Sequence, residues 1–368
     1  MSYKKVTIFS QDLAGGGAER VLVNIANGLA EMGVPVDLLL VRPVGPFVNY
    51  VSRRVKVIPL ETKRVLNSIG ALRRYIVANQ PYSLLSALPH ANVAAVIAAR
   101  ASGIGTKVVI SEHSVPSFAM QRSSRRMIRW SYRVAPLVYP WADVVVAVSD
   151  GVAADLSSTL RVPPEKITRI YNPIATELPE AGVAASPPHP WLAEDQPPVI
   201  MAMGRLAPVK DFSTLLRGFA ILRRTLHARL IILGEGPLRY ELMELADTLG
   251  IKADLALPGF VDNPLSWLRH AAVFAATSIS ESFGNAIVEA LLCGTPVVAT
   301  DCPFGPREIL NGGQFGTLVP VGNPELLAAG LYQMIRCPPC SDLLKKHAQR
   351  FGVARAVNEY ARLLLGEE

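Results

Sequence analysis

The sequence has 368 residues, of which half are hydrophobic and 18% are charged, with four cysteines and a net charge of +7. This length predicts two domains, and the apolar content excludes an intrinsically disordered chain. No apolar run is long enough to span a membrane, the cysteines are too few for a disulfide scaffold, and the first residues enter a strand pattern without a signal peptide, so we expect a cytoplasmic protein.

The first half of the chain alternates predicted strands and helices and begins with a βαβ unit. Its first strand, at 6–10, leads into the glycine-rich turn Gly15-Gly16-Gly17. This turn departs from a dinucleotide fingerprint, because Arg20 stands where the last glycine belongs and the second strand ends without an acidic residue. NAD binding is therefore a minor alternative, and we interpret the glycines as giving a bound substrate close access to the backbone.

Further predicted strands of this half end at a polar cluster. Strands are predicted over 36–41, 55–59, 83–87, 107–111, 143–148 and 167–171, and helices over 21–31, 66–79 and 91–101. Glu112-His113-Ser114 follows the strand at 107–111, at the carboxyl end where open α/β sheets bind ligands. His113 is a candidate for contact with substrate, and a hydrogen-bonded structural histidine is the alternative.

Positive charge is concentrated in the first half. Residues 1–175 hold 21 Lys and Arg against 10 Asp and Glu, whereas the remainder holds 16 against 20. The excess is centred on the stretch Arg122–Arg133, which contains Arg122, Arg125, Arg126, Arg129 and Arg133 together with Met127 and Trp130. This composition suits an anionic membrane surface or a pyrophosphate-bearing substrate. A solvated basic face is the alternative, and nucleic acid is not expected because no nucleic-acid motif accompanies the charge.

A proline-rich segment at 176–198 predicts a linker between a domain over 1–175 and a second domain over 199–350. The second domain repeats the strand–helix alternation, with a strand at 199–203 and a short helix expected at 262–270. Arg205 and Lys210 flank the turn after that strand, where two cations could grip a diphosphate, unless they are simply solvated charges.

The stretch T-S-I-S-E-S-F-G-N-A-I-V-E-A-L-L-C-G, at 277–294, predicts a strand end, a tight turn and a helix. The backbone N–H groups of Phe283, Gly284 and Asn285 open the helix, where a phosphate is favoured. Glu281 in the turn could accept hydrogen bonds from hydroxyl groups, and Glu289 within the helix could accept them from a ribose. The alternative is that Glu281 caps the helix and Glu289 is solvated, but the apolar residues around Glu289 weigh against it.

Two of the four cysteines form the motif Cys337-Pro-Pro-Cys340. No second pair and no histidine partner accompany it, so a redox or metal-binding role is a minor alternative.

Several motifs together resemble those of the retaining GT-B glycosyltransferases of glycosyltransferase family four. In chain order they are G-G-G-A-E-R, S-E-H, V-S-D-G-V, Y-N-P-I, G-R-L-x-P-V-K-D, G-E-G-P, L-P-G-F and E-S-F-G-N-A-I-V-E. The resemblance covers nearly the whole chain. It implies an α/β protein with two Rossmann-like domains facing each other across a cleft, in which a C-terminal helix at 351–368 returns to the first domain.

The resemblance also assigns roles to residues. Donor binding falls to Gly16, Gly17, Arg205, Lys210, Phe260, Val261, Glu281, Phe283, Gly284, Asn285 and Glu289. Acceptor contacts fall to Glu19, Arg20 and His113, and the residues closest to the chemistry are His113, Glu281, Arg205 and Lys210. Phe260 and Val261 would flank the base. Because no D-x-D motif is present, we expect metal independence and no cofactor.

The implied function is transfer of a hexosyl or N-acetylhexosaminyl unit from a nucleotide sugar, with UDP as the expected carrier. D-C-P-F-G-P-R-E-I-L resembles members that act on lipid-linked oligosaccharides and surface polysaccharides, so the expected acceptor is a glycan or a polyprenyl-diphosphate-linked sugar. Peripheral attachment to the inner face of the plasma membrane is a further expectation. The alternatives are a UDP-sugar epimerase of the same fold and a non-catalytic partner subunit at a membrane.

Overall fold

The computed structural model describes residues 4–14, 16–62, 65–123, 126–174 and 187–366. The chain divides into two compact units, the first formed by residues 1–175 and 351–368 and the second by residues 176–350. Of the predicted linker, residues 176–186 lie outside the described residues, and 187–198 contain one short 3-10 turn, Pro190–Leu192.

The first unit is a parallel sheet covered by helices. Its strands are β1 (Val6–Ser10), β2 (Val36–Leu40), β3 (Lys56–Pro59), β4 (Ser83–Ala87), β5 (Lys107–Glu112), β6 (Val144–Ala147) and β7 (Ile167–Arg169), in the order β3-β2-β1-β4-β5-β6-β7. Its helices are α1 (Gly17–Glu31), α2 (Ile69–Asn79), α3 (Pro89–Ser102), α4 (Pro116–Arg122), α5 (Arg126–Val138) and α6 (Asp150–Leu160). The central strands are fully buried because helices cover both faces, which is why they read as continuous apolar runs.

The second unit repeats this architecture with six strands. They are β8 (Val199–Met203), β9 (Arg229–Leu233), β10 (Leu255–Gly259), β11 (Val273–Ala276), β12 (Val297–Thr300) and β13 (Thr317–Val319), in the order β10-β9-β8-β11-β12-β13. The helices are α7 (Phe212–Leu222), α8 (Arg239–Thr248), α9 (Leu265–Leu268), α10 (Asn285–Leu292), α11 (Pro306–Ile309), α12 (Pro324–Arg336) and α13 (Ser341–Ala348). The helix predicted over 262–270 is the single turn α9, because Pro264 stands at its start and the chain enters β11 five residues after its end.

Both sheets reverse their strand order next to the first strand of the unit. In the first unit β2 and β3 lie on one side of β1, and the later strands continue from β4 on the other side; β8 and β11 have the same relation in the second unit. The connections that leave adjacent strands at such a point run in opposite directions and open a crevice at the carboxyl ends of the strands. The topology therefore places a crevice after β1 and β4, and another after β8 and β11.

The last helix, α14 (Val353–Leu365), belongs to the first unit. The side chain of Val357 packs against Gly28 in α1, where a Cβ atom would lie 2.5 Å from a Val357 methyl group. The Lys107 amine, at the start of β5, donates to the carbonyl of Leu363 over 2.7 Å. The chain thus leaves the first unit after β7, builds the second unit, and returns.

Candidate functional site

The carboxyl ends of β8 and β11 carry two side chains that the sequence singled out separately. Nζ of Lys210 lies 2.5 Å from Oε1 of Glu281, and the hydroxyl of Ser278 donates to the same oxygen over 2.7 Å. Both ionic side chains are largely covered, with 25% of Lys210 and 16% of Glu281 exposed. The crevice therefore contains a preformed ion pair, in which the cation is already neutralised by a carboxylate.

Hydrogen bonds fix the loops that hold this pair. The hydroxyl of Thr277 donates to the carbonyl of Lys210 over 2.9 Å, and the N–H of Ile279 donates to Val209 over 2.8 Å. On the other side, the N–H of Glu281 donates to Pro303 over 2.9 Å. The D-C-P-F-G-P segment, which sequence reasoning linked only to the choice of substrate, therefore also supports the backbone of Glu281.

Glycines let the ends of two strands, β8 and β9, pack closely beside Arg205. A Cβ atom on Gly234 would lie 2.1 Å from the carbonyl oxygen of Gly204, and one on Gly236 would lie 2.4 Å from that of Leu206. The G-R-L and G-E-G-P motifs therefore pack directly against each other, and a residue larger than glycine at position 234 or 236 would clash. Arg205 itself is exposed, and the described residues offer it no ion pair. It is the cation of this crevice that remains available to an anion.

The end of β10 presents an aromatic ring to solvent. Phe260 follows Gly259 and is 59% exposed, and Val261 is half-buried. A flat apolar ring at the edge of a polar crevice can cover the face of a nucleotide base. This geometry is compatible with the predicted base contact.

Gly284 immediately precedes helix α10, and its φ of 113° favours glycine. Phe283 is buried, and its carbonyl oxygen lies so close to Gly305 that a Cβ atom there would approach it to 1.6 Å. Asn285 is the first residue of the helix, and Glu289 within it is only 7% exposed. The alternative of a solvated Glu289 is therefore wrong, and the carboxylate lies in a helix that is buried along most of its length.

In the first unit, the turn after β1 is exposed at Gly16 and Gly17, whereas Gly15 lies outside the described residues. A Cβ atom on Gly16 would lie 2.2 Å from Oε2 of Glu19, so the Glu19 carboxylate lies against the start of α1. Arg20 is half-buried in the next position. Two of the three residues predicted to contact the acceptor, Glu19 and Arg20, thus lie within the first turn of α1, at the crevice after β1 and β4.

A second ion pair anchors this turn, and sequence reasoning missed it. Asp12, which is buried, lies 2.9 Å from a guanidinium nitrogen of Arg42 at the end of β2. The sequence did contain a signal for this pair, because Asp12 stands just before the glycines and Arg42 just after β2, the strand next to β1. This pair ties the segment before the glycine-rich turn to the segment that follows β2.

His113 follows β5 and is half-buried. Its Nε2 lies 2.9 Å from the hydroxyl of Ser111. Burial lowers the pKa of His113 to about 4, and the Asn172 side chain, which favours the protonated ring, offsets only part of that effect. The ring is therefore neutral at physiological pH and can act as a hydrogen-bonding group, not as a cation.

Next to it lies Glu112, which is fully buried. This residue is not among the candidate site residues identified from the sequence. Burial raises the pKa of its carboxyl to about 7, and hydrogen bonds from Tyr132 and Tyr139 oppose that increase. The signal was present in the sequence as an acidic residue at the end of an otherwise apolar strand.

The basic stretch forms a mixed face, with both aromatic and basic side chains exposed. On α5, Arg126, Trp130 and Arg133 are exposed at helical spacing, and Leu137, one turn further, is 71% exposed. Arg129 is half-buried on the flank of this face. Of the other predicted members, Arg122 is exposed in α4 and Arg125 lies outside the described residues.

Two other features concern the whole described chain. Cys337 and Cys340 are exposed free thiols that bracket the connection between α12 and α13. Within the described ranges, His, Cys, Asp and Glu side chains form no group of three or more that could hold a metal ion. In the same ranges, no helix has both the length and the apolar character needed to cross a bilayer.

Each half of the sequence matches a glycosyltransferase family. Residues 15–178 match the family described as Glycosyltransferase Family 4, and residues 188–352 match that described as Glycosyl transferases group 1. A Campylobacter jejuni relative, N-acetylgalactosamine-N,N'-diacetylbacillosaminyl-diphospho-undecaprenol 4-alpha-N-acetylgalactosaminyltransferase, is 28% identical over 99% of this chain and 100% of its own length. A Rhizobium meliloti lipopolysaccharide core biosynthesis glycosyltransferase is 35% identical over 38% of this chain and 39% of its own.

Solved structures share the whole architecture. Anabaena HepE in complex with UDP-glucose superposes with a TM-score of 0.82 at 21% identity, covering 98% of this chain and 99% of that one. The sucrose-phosphate synthase of Thermosynechococcus elongatus gives 0.81 at 19% identity, covering 99% and 100%. At these identities the similarity shows the fold, and it confirms the predicted GT-B class.

Proposed function

Because the chain belongs to the family-four glycosyltransferases of the GT-B fold, we propose that it moves a hexosyl or N-acetylhexosaminyl unit from a UDP-sugar to a lipid-linked glycan. The observation that carries this proposal is the crevice after β8 and β11. There the Lys210–Glu281 pair, the exposed Arg205 and the start of α10 all belong to one compact unit.

The donor side follows from the charges in this crevice. Arg205 and the N-terminus of α10 receive the diphosphate, and Lys210 is shared between the phosphate and Glu281. Glu281 then accepts hydrogen bonds from the hydroxyls of the donor sugar, and the buried Glu289 accepts them from the ribose. Phe260 and Val261 flank the base, and backbone at Phe283, Gly284 and Asn285 contacts phosphate or sugar.

The chemistry requires stabilisation of the leaving diphosphate. Negative charge grows on it as the glycosidic bond breaks, and fixed cations with a helix N-terminus stabilise that charge without reorganisation. In our proposal the configuration at the anomeric carbon is retained, no side chain acts as a covalent nucleophile, and neither a metal ion nor a cofactor takes part. Gly16 and Gly17 approach the diphosphate, and His113 donates or accepts a hydrogen bond at the reacting sugar.

The acceptor side is proposed from the relatives and from α5. The Campylobacter relative is named for a diphospho-undecaprenol-linked sugar, and we assign this chain an acceptor of the same chemical class, contacted by Glu19 and Arg20. Arginines beside tryptophans suit an anionic lipid surface, so Arg126, Trp130 and Arg133 attach the enzyme to the cytoplasmic face of the membrane.

Product analysis tests the reaction class. The purified protein is incubated with UDP-glucose, UDP-galactose and their N-acetylated counterparts, with and without polyprenyl-diphosphate-linked sugars. The proposal predicts a glycosylated lipid and free UDP. Sugar isomerisation without a glycoside would favour an epimerase. A wild-type protein without turnover, whose function in the cell is not impaired by Glu289→Ala, would favour a non-catalytic partner subunit.

A further inference from the structure

A buried polar network lies directly behind the loop that carries His113. Its centre is the carboxylate of Glu112, which ends β5 and has no exposed surface. The hydroxyl of Tyr132 donates to Oε1 over 2.8 Å and that of Tyr139 to Oε2 over 2.9 Å. The N–H of Ser114 also donates to Oε1, over 3.0 Å. A buried carboxylate is costly unless such donors surround it, so this arrangement is specific.

The donors come from separate elements of the first unit. Tyr132 lies on the buried face of α5, and Tyr139 begins the 3-10 turn that follows this helix. Asn92 of α3 extends the network, because its amide donates to the Tyr139 hydroxyl over 3.3 Å and to the carbonyl of Ser111 over 3.0 Å. Glu112 thus joins two helices and a turn to the end of β5.

The same network holds His113 from two sides. The backbone N–H of Ser114, the residue after His113, donates to the Glu112 carboxylate, and the His113 ring is held through Ser111. The Ser111 hydroxyl lies 3.0 Å from the hydroxyl of Tyr360 in α14, so the ring is also connected to the returning helix. Loss of the Glu112 carboxylate would release the loop backbone at Ser114, next to His113, while leaving the contact between Ser111 and the ring in place.

We propose that Glu112 is a positioning residue for glycosyl transfer, which fixes the His113 loop through its hydrogen bonds with Tyr132, Tyr139 and the loop backbone. The proposal rests on the proposed function, because His113 is there assigned to the reacting sugar. A merely structural residue would affect turnover independently of His113, whereas a positioning residue affects turnover only by way of His113.

The ionisation of Glu112 supports this role. Two side chains with titratable groups donate to the carboxyl: Tyr132 from α5 and Tyr139 from the turn. Burial raises the pKa of both tyrosines far above the ordinary value, so they remain neutral donors. The pKa of Glu112 is about 7, so protonation near neutral pH removes an acceptor from the network. The turnover number should therefore change with pH near neutrality.

The primary variants are Glu112→Gln and the milder Tyr139→Phe. Tyr75→Phe is the matched control, because the Tyr75 hydroxyl also donates to a buried carboxylate of the first unit, that of Asp37. A misplaced catalytic group slows turnover by as much as 100-fold, so we expect kcat to fall about 10- to 100-fold in the primary variants. The dissociation constant for UDP, measured by calorimetry, should stay unchanged, and the control should retain the wild-type kcat.

Coupling to His113 gives the decisive comparison. Glu112→Gln combined with His113→Ala should be no slower than His113→Ala alone, because residues that act through one another are not additive. Fully additive losses, or a wild-type kcat in Glu112→Gln, would overturn the positioning role.

A readout that needs no turnover separates this proposal from the proposed function. The ring resonances of His113, followed by nitrogen-15 NMR against pH, should shift in Glu112→Gln and stay unchanged in Tyr75→Phe. Unshifted resonances would reject the positioning of His113. Failure of the wild-type protein to transfer sugar would reject the proposed function whatever the NMR result.

Discussion

At the scale of single residues, the ion pair between Lys210 and Glu281 changes how the donor site works. The Lys210 ammonium is already paired with a carboxylate, that of Glu281, over 2.5 Å. An incoming diphosphate must share this ammonium, and Glu281 must accept hydroxyl hydrogen bonds in partial exchange. Arg205, which is exposed, therefore supplies most of the uncompensated positive charge.

Removal of the Glu281 charge should strengthen the binding of UDP but not that of the UDP-sugar. In Glu281→Gln, Lys210 is released toward the diphosphate, so UDP should bind about fivefold more tightly, on the order of 1 kcal/mol. The UDP-sugar should lose that gain because a strong acceptor for its hydroxyls is gone. The matched control is Asp254→Asn, which breaks the Arg223–Asp254 pair, of similar exposure, in the same unit. Weaker binding of both ligands would contradict the shared-ammonium account.

Arg205→Ala should act mainly on the rate. Loss of one donor that stabilises developing charge costs about 100- to 1,000-fold in kcat in other enzymes. We expect a reduction toward the lower figure with a change in KM of less than about tenfold, measured by release of UDP. An unchanged kcat would show that Arg205 is a solvated charge.

Glu112 should make the free energy of unfolding depend on pH. Its pKa is raised from 4.5 to about 7 in the folded protein, so its stabilising contribution is present below pH 4.5 and is lost as the pH rises through about 7. This loss amounts to roughly 3 kcal/mol. His113 has a lowered pKa, so its contribution to stability changes with pH in the opposite direction. The effect of Glu112 is therefore obtained by comparing the wild-type protein with Glu112→Gln. Relative to wild type, the melting temperature of Glu112→Gln should rise between pH 5 and pH 8, and a constant difference would contradict this.

The sequence could select Lys210 and Glu281 but not their contact. They lie 71 positions apart, and only the adjacency of β8 and β11 brings them together. Glu112 escaped selection because a single sequence does not reveal that Tyr132 and Tyr139, 20 and 27 positions later, surround its carboxylate. The chemical type of each residue can be read from the sequence, whereas its hydrogen-bond partners depend on the tertiary fold.

At the scale of elements, α5 has two faces with separate tasks. Its buried face contributes Tyr132 to the network, and its exposed face carries Arg126, Trp130 and Arg133. The charge pattern predicted a basic helix, and the structure shows that Trp130 shares its exposed face with the arginines. The number of exposed arginines could not be predicted, because it depends on how the helix rotates against its neighbours.

Membrane binding through α5 is testable by flotation with vesicles that contain anionic lipid. Arg126→Ser with Arg133→Ser removes two charges, each contributing about 1 kcal/mol near an anionic surface, so the bound fraction should fall markedly. Trp130→Ser should reduce it further. Arg53→Ser with Arg54→Ser removes two exposed arginines elsewhere in the first unit and should leave flotation unchanged. Equal losses in both pairs would indicate nonspecific attraction to the net charge.

At the scale of the whole molecule, the fold class followed from the alternation of apolar strands with helices and from the order of the motifs. The sheet orders explain why motifs far apart in sequence converge, since each unit places its first and fourth strands side by side. The return of α14 was expected only from the family resemblance, because an amphipathic helix does not specify the surface that it covers. Its contacts with Gly28 and Lys107 supply the specific partners.

The central claim is that a nucleotide diphosphate binds at the start of α10 with its ribose held by the buried Glu289. Calorimetric titration of the full chain with UDP and with 2′,3′-dideoxy-UDP tests it most directly. We predict that the wild-type protein binds UDP about 10- to 100-fold more tightly than the dideoxy analogue, since hydrogen bonds to a charged group contribute about 1.5–3 kcal/mol. Glu289→Ala should bind both ligands weakly and equally. Equal affinity of the wild-type protein for the two nucleotides, or undiminished UDP binding by Glu289→Ala, would contradict the account.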